Sequence, residues 1–408
     1  MFSVAPALRM SRDPQNSEAR SAADEGSNDQ DQQAANNDQV QRPFRPRSPS
    51  HYLHASRAQD APSRWWLRTQ AAFWRTLMTA QPYLHDYALP KPPLPAFTRA
   101  IPTVYDGPNS PPITLYFYVP EEYASRKQEG HGFPVVVNFH GGGFVLGSAT
   151  DDRYWANVVL KTAKAVLVSV EYRRAPEFAY PTAVDDGVDA LLYLSAHAVE
   201  LGLDVQNIAL SGFSAGGNLA FSVPLRLAFH TRKGAMATQD PVPSRWASTR
   251  KLLDEAAELR IVNITSFYPV VDWSSSRTSK RRSSSRPDKT LPAVLTDLFD
   301  YSYLPLSAGA EATSPFISPS LASASMLADG LPKDIQFVFC GWDMLLQEGD
   351  VFAKKLDGLG KNVSSITVSE VVHAWDKSPD PWRDQGAIDQ IYAQVCHGMR
   401  KSFALGEE

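Results

Sequence analysis

Apolar residues fall into short runs from about residue 98 onward, and longer amphipathic stretches lie between several of them. The runs predict strands over 113–119, 135–139, 166–170, 205–210, 261–267, 335–340 and 364–368. Several are continuous and rich in β-branched residues, as expected of strands covered on both faces. The stretches 182–197 and 349–359 predict helices. Strand, loop and helix in alternation predict an α/β fold with a mostly parallel, doubly wound sheet. No internal repeat is visible.

The first hundred residues depart from this rhythm. Residues 11–50 are rich in Asp, Gln, Asn, Ser, Arg and Pro, and so few apolar positions cannot offset the entropy of ordering the chain, a reading extended to roughly 1–60. A disordered polar tail is expected there, followed by one globular unit over 61–408. Within it, 63–80 places Trp65, Trp66, Ala72, Phe73, Leu77 and Met78 at near-helical spacing, with Arg64, Arg68 and Arg75 between them. Packing on its own domain is expected of this helix; peripheral contact with a membrane surface is the alternative. Residues 231–250 are polar. Residues 274–290, "SSSRTSKRRSSSRPDKT", read as a solvated, flexible loop in which serines beside arginines offer phosphorylation sites.

Composition narrows the function classes. A net charge of −4 gives no electrostatic reason to expect nucleic acid. Two cysteines, Cys340 and Cys396, form neither a disulfide framework nor a zinc pattern. No apolar run reaches the roughly 18 residues of a membrane span. The N-terminus lacks the features of a signal peptide. A cytoplasmic protein without metal or cofactor is expected; oligomeric state is not readable.

Two glycine-rich segments carry the candidate chemistry. Gly212-Phe213-Ser214-Ala215-Gly216 follows a strand and opens a helical run. The G-x-S-x-G pattern in that context is a nucleophile elbow, a strained turn that pushes a hydroxyl outward. Alone it is weak, with about 0.1 chance matches in a chain of this composition. The second segment, "NFHGGGF" at 138–144, follows another strand. A chance H-G-G-G is on the order of 0.002. Bare glycine backbone aims several N–H groups at one point, as a developing oxyanion requires. His140, at the strand end, reads as a residue ordering that loop.

A hydroxyl needs a base. Of nine histidines, His373 follows the last strand, in "SEVVHAW". A carboxylate must orient the base. Asp343 follows the strand "IQFVFC", where sites of open α/β sheets assemble; Glu348 and Asp350 lie further on. The resulting order is Ser214, Asp343, His373.

With these segments the chain resembles the hormone-sensitive-lipase-like family of α/β-hydrolases over roughly residues 95–390. Further matching stretches are "VEYRRAPEFAYPTAVDDGVDALLYL", "FYPVVD", "SPFISPSLA" and the block Asp343 to Asp350. The resemblance implies an α/β-hydrolase fold of about eight strands under a helical cap from about 61–95 and 273–310. It implies Ser214 as nucleophile, Asp343 as acid, His373 as base, and an oxyanion hole from the N–H groups of Gly142, Gly143 and Ala215. Phe144, Phe213 and Trp375 are the candidate substrate-binding residues. Phe213 stands where many members carry Asp, and Ala374 follows His373 where many carry Gly. The expected activity is hydrolysis of small-molecule carboxylic esters of small to medium acyl chains. An amidase or arylformamidase on the same triad, or a non-catalytic small-ligand receptor, are the alternatives.

Overall fold

The structure, a computed structural model, describes residues 61–87, 91–103, 110–236, 259–304, 312–377 and 384–403. The expected tail (1–60) and most of the polar stretch 231–250 lie outside the described residues. Eight strands form one sheet: β1 Phe97–Ile101, β2 Ile113–Tyr118, β3 Phe133–Phe139, β4 Val166–Glu171, β5 Leu203–Phe213, β6 Ile261–Phe267, β7 Asp334–Cys340 and β8 Asn362–Val368. Their spatial order is β1-β2-β4-β3-β5-β6-β7-β8. β1 and β2 join antiparallel, and all pairings from β4 through β8 are parallel. The seven strands predicted from the apolar runs are all present. β1 was not expected, because the adjacent Thr98 and Arg99 interrupt its apolar residues on a half-exposed edge and leave no continuous run.

The parallel strands are apolar because helices cover both faces. β3 is buried along its whole length, and β5 buries its last seven residues. On one face, Phe139, Leu210 and Ile264 pack with Val188, Leu219 and Val223. On the other, Val136, Phe213, Phe267 and Val338 pack with Trp155, Tyr392 and Val395. The parallel strands bring their C-terminal ends to one rim, and the reacting candidates follow β3, β5, β7 and β8 there.

Two helical segments cover that rim. The helix Arg64–Tyr87 inserts Leu67 and Ala71 into the main core. It presents Trp65, Trp66, Phe73 and Leu77 to solvent, so it packs on its own domain by one stripe only. Arg75 anchors it: its guanidinium donates to the carbonyls of Val145 (2.9 Å) and Ala175 (2.7 Å) and pairs with Glu177. The helix Ala293–Tyr303 lies against it and buries Leu298, Phe299 and Tyr303. Among the described residues, no helix is long and apolar enough to cross a membrane.

The Ser/Arg tract is not the solvated loop its composition suggests. Residues Arg277–Ser283 form a helix capped by the Ser276 hydroxyl, which accepts from the N–H of Ser279 at 3.2 Å. Arg277 holds Asp300 with two donors, at 2.6 and 3.1 Å, and lies over the Trp273 ring. Lys280 is buried; its ammonium pairs with Glu348 and donates to the Asp272 carbonyl. Glu348 in turn accepts from the N–H groups of Val271 (2.8 Å) and Asp272 (3.3 Å). Composition misleads because two of the cations, Arg277 and Lys280, find acceptors supplied by distant segments. Burial pushes the Lys280 pKa down and the Glu348 pKa up, each opposed by the other's charge.

Removing one partner of such a pair leaves the other buried and uncompensated. Lys280→Met is therefore expected to cost about 3 kcal/mol of unfolding free energy, read from urea titrations. A loss below about 0.5 kcal/mol, the scale of an exposed pair, would contradict the burial.

Candidate active site

Ser214 sits between β5 and the helix Ala215–Met236 with φ of +55°, a conformation that costs a non-glycine residue energy. The strain is held from several sides. The Ser214 N–H donates to the Phe267 carbonyl (2.8 Å), and its carbonyl accepts from the N–H of Asn218. Asn218 is buried and donates from its amide to the carbonyls of Val270 and Ile317, both at 2.7 Å. A Cβ at Gly216 would lie 1.9 Å from the Phe139 carbonyl oxygen, and one at Gly212 would lie 2.1 Å from that of Gly216. Only glycine lets the turn close this tightly against the end of β3.

That contact places the H-G-G-G segment beside the hydroxyl. Gly142 and Gly143 have φ of +109° and +61°. The carbonyl of Gly142 accepts from Val145 and Leu146 (3.1 and 2.8 Å), which curls the segment into a turn. The N–H groups of Gly142, Gly143 and Ala215 have no acceptor among the described residues. The Phe299 ring covers the turn so closely that a Cβ on Gly143 would meet it at 2.3 Å.

His140 is buried and stacks on Tyr172 with ring centroids 4.1 Å apart. Its Nδ1 lies 2.8 Å from the Gly141 carbonyl, which can only accept, so Nδ1 carries the proton. The Tyr172 hydroxyl donates to the His140 carbonyl at 2.9 Å. Its place is in ordering the loop.

His373 and Asp343 reach Ser214 from the ends of β8 and β7. The imidazole Nε2 lies 2.8 Å from Ser214 Oγ, and Nδ1 lies 2.6 Å from Asp343 Oδ2. A carboxylate accepts only, which puts the proton on Nδ1 and leaves the Nε2 lone pair to accept from the hydroxyl. The side chains of His373 and Asp343 are 5% and 1% exposed. The other carboxylate oxygen of Asp343, Oδ1, accepts from the N–H of Leu345 at 3.1 Å. The two competing acids point elsewhere: Glu348 to Lys280, and Asp350 to Lys354 on an exposed helix face.

The three candidate substrate-binding residues fare differently. Phe144 is fully buried and stacks on Tyr303 at 3.7 Å, so it braces the glycine turn against the covering helix. Phe213 is 1% exposed, stacked on Phe267 at 4.3 Å and edge-on to Trp155. Its ring fills the core beneath the elbow and presents no wall to a substrate, a correction to the sequence reading. Trp375 is half-buried in the turn Trp375–Lys377 just past His373, and its indole N–H has no partner among the described residues.

The sequence reading missed what lies under the histidine. Tyr268, at φ +39°, meets the His373 ring edge to face at 4.9 Å. Its hydroxyl and that of Tyr392 both donate to Asp376. The Lys377 ammonium lies 3.4 Å from the centre of the Phe213 ring and 2.8 Å from Asp152, whose second oxygen accepts from Asn138 at 2.7 Å. The loops after β3, β5, β6 and β8 are thereby tied together. The signal was present: "HAWDK" sets an acid and a base three and four residues past the histidine, and Phe213 supplies the face for the cation.

A family model of the α/β-hydrolase fold matches residues 136–377. The chain belongs to the hormone-sensitive-lipase-like family of α/β-hydrolases. An AB hydrolase superfamily protein of Schizosaccharomyces pombe is 46% identical over 89 residues, 22% of this chain and 26% of that protein. An arylesterase of Saccharolobus solfataricus is 28% identical over 258 residues, 63% of this chain and 72% of that protein. Matches to these two relatives thus span from about a quarter to under three quarters of their lengths. The solved structure of EstE1, a thermostable carboxylesterase from a metagenomic library, superposes with a TM-score of 0.60 at 28% identity. It covers 84% of this chain and 99% of that one. This member of the family departs from the common pattern at Phe213, where the core and Lys377 take up the ring.

Burial keeps His140 neutral, and Arg174 adds to the effect; its pKa is pushed down to about 3. An unfolded histidine takes its proton near 6.5. Between those values the unfolded chain binds the extra proton, so this contribution to stability is whole above pH 6.5 and is lost as pH falls toward 3. The expected slope is about 1.4 kcal/mol per pH unit in that window. Urea unfolding of wild type and His140→Gln at pH 7.5, 5.5 and 4.5 isolates it. Parallel pH dependences in the two proteins would refute the assignment.

Proposed function

We propose that the protein is a serine carboxylesterase acting on small to medium acyl esters. The observation that carries the reading is the unbroken line of hydrogen-bond contacts from Ser214 Oγ through His373 to Asp343. In the first step His373 Nε2 takes the hydroxyl proton as Oγ attacks the ester carbonyl carbon. The carbonyl oxygen becomes an oxyanion and is met by the N–H groups of Gly142, Gly143 and Ala215. His373 then gives its proton to the departing alcohol oxygen, which leaves an acyl-Ser214. Water repeats the sequence, releasing the acid and restoring the hydroxyl. Asp343 stays ionised and stabilises the imidazolium.

The helix that begins at Ala215 adds the partial positive charge of its N-terminus beside the oxyanion. The esterase names of the relatives support the same reaction class. Phe299, pressed on Gly143, supports a modest acyl group, since it leaves little height above the glycine turn.

Ser214→Ala is expected to lower kcat on a chromogenic short-chain ester by about a million-fold, the scale of losing a triad nucleophile. A fluorophosphonate should label Ser214 in wild type and not in Ser214→Ala. Ordinary turnover by the folded variant would sink the mechanism, and absence of labelling in wild type would favour a ligand-binding role. Side by side, acyl esters are expected to be cleaved faster than N-formyl arylamines, because the alcohol leaves more readily than the amine. The reverse order would assign an amidase.

A further inference from the structure

Three serines end the helix of the Ser/Arg tract, and each has a different fate. The Ser283 hydroxyl donates to the Lys280 carbonyl at 2.8 Å. Ser284 is buried and donates to the Trp342 carbonyl at 2.9 Å. Ser285 is exposed and donates to the Gly341 carbonyl at 3.0 Å. Gly341 and Trp342 are the two residues before Asp343. Arg286 adds a third tie, with its guanidinium over the Trp342 ring while it holds Asp288. The far end of the tract thus grips the turn that presents the carboxylate to His373.

The basic residues before these serines differ in availability. Lys280 is buried, and Arg281 donates to Leu291 and Thr296. Arg282 is exposed and lies three residues before Ser285, and residues 285–289 are exposed throughout. Ser283 has the buried Lys280 at that spacing, and Ser284 is itself buried. Of these three serines, only Ser285 offers an available cation to an enzyme that recognises one three positions before its target.

We propose that Ser285 is a phosphorylation site for a basophilic protein kinase, and that its modification loosens the turn carrying Asp343. The effect on turnover rests on the reading of Ser214, Asp343 and His373 as the reacting groups. Ser285 Oγ attacks the terminal phosphorus of a nucleoside triphosphate. The new O–P bond forms as the bond to the bridging oxygen breaks; the nucleoside diphosphate leaves, and the hydroxyl proton passes to the kinase's base. The ester oxygen no longer has a hydrogen to give Gly341, and a charge of about −1.5 to −2 now faces carbonyl oxygens. The phosphate also competes with Asp288 for Arg286 and draws that guanidinium off Trp342. The turn keeps its main-chain bonds to Val368 and Val371 but loses two of its three ties to the tract.

Full-length protein with phosphoserine installed at 285 during translation tests the coupling. Its kcat on a chromogenic short-chain ester is expected to fall about ten-fold with KM within about three-fold, because contacts to the substrate are untouched. Phosphatase treatment should restore it. Amide exchange over residues 340–346 should quicken about ten-fold, whatever the activity. A kcat within two-fold of the unmodified protein, or unchanged exchange, overturns the coupling. For the site, wild type and Ser285→Ala are incubated with ATP and the catalytic subunit of a basophilic kinase, with a peptide of residues 278–290 as control. Phosphate mapped to Ser285 and absent from the variant is expected; no phosphate on Ser285 of the folded protein removes the proposal. Fluorophosphonate labelling of the unmodified protein reports on the hydrolase reading separately.

Discussion

Everything at the rim of the sheet depends on how closely two turns approach. The backbone at Gly216 lies against the last carbonyl of β3, at a distance no side chain tolerates. That approach sets the H-G-G-G turn beside the elbow, where Ser214 takes a left-handed conformation. Parallel strands make it possible. β3 and β5 are neighbours and end at the same level, so the turns that follow them must meet. Sequence supplies glycine where they collide, because any Cβ there would strike backbone.

The histidine needs a different kind of support. Its loop leaves the edge strand β8, where one side has no neighbour in the sheet. Buried charge replaces the missing strand. Lys377 joins Asp152 and the Phe213 ring, and Asp376 collects two tyrosine hydroxyls, one of them on the residue that faces the imidazole. Such groups are costly to bury, and burial raises the pKa of Asp152 while Lys377 opposes the rise. Placed here, they hold a loop that hydrophobic contact alone would leave free to shift. A nearby pair does the same for the cover: Lys280 and Glu348 join the tract after β6 to the helix after Asp343.

Much of this was legible in the chain. Continuous β-branched runs gave the parallel strands, because burial on both faces removes polar positions. Glycine spacing gave the two turns, because their backbone conformations exclude other residues. Chain order and strand ends singled out Ser214, Asp343 and His373. Edge strand β1 escaped because half its positions face water. The Ser/Arg tract was misread because the acceptors for its cations lie as far away as Glu348. Phe213 was misplaced because a residue beside a nucleophile has two directions to point, and only the packing of Trp155 and Phe267 decides between them.

The strand order has a consequence for the timing of assembly. From β5 onward, each new strand adds to the outside of the sheet in the order the ribosome releases it, and β8 closes the growing edge. No later segment must thread between strands already paired. His373 follows that last strand, so a chain paired only through β7 holds Ser214 and Asp343 but not yet the imidazole that lies between them. The contact from Ser214 through His373 to Asp343 can therefore close only once the final strand is in place.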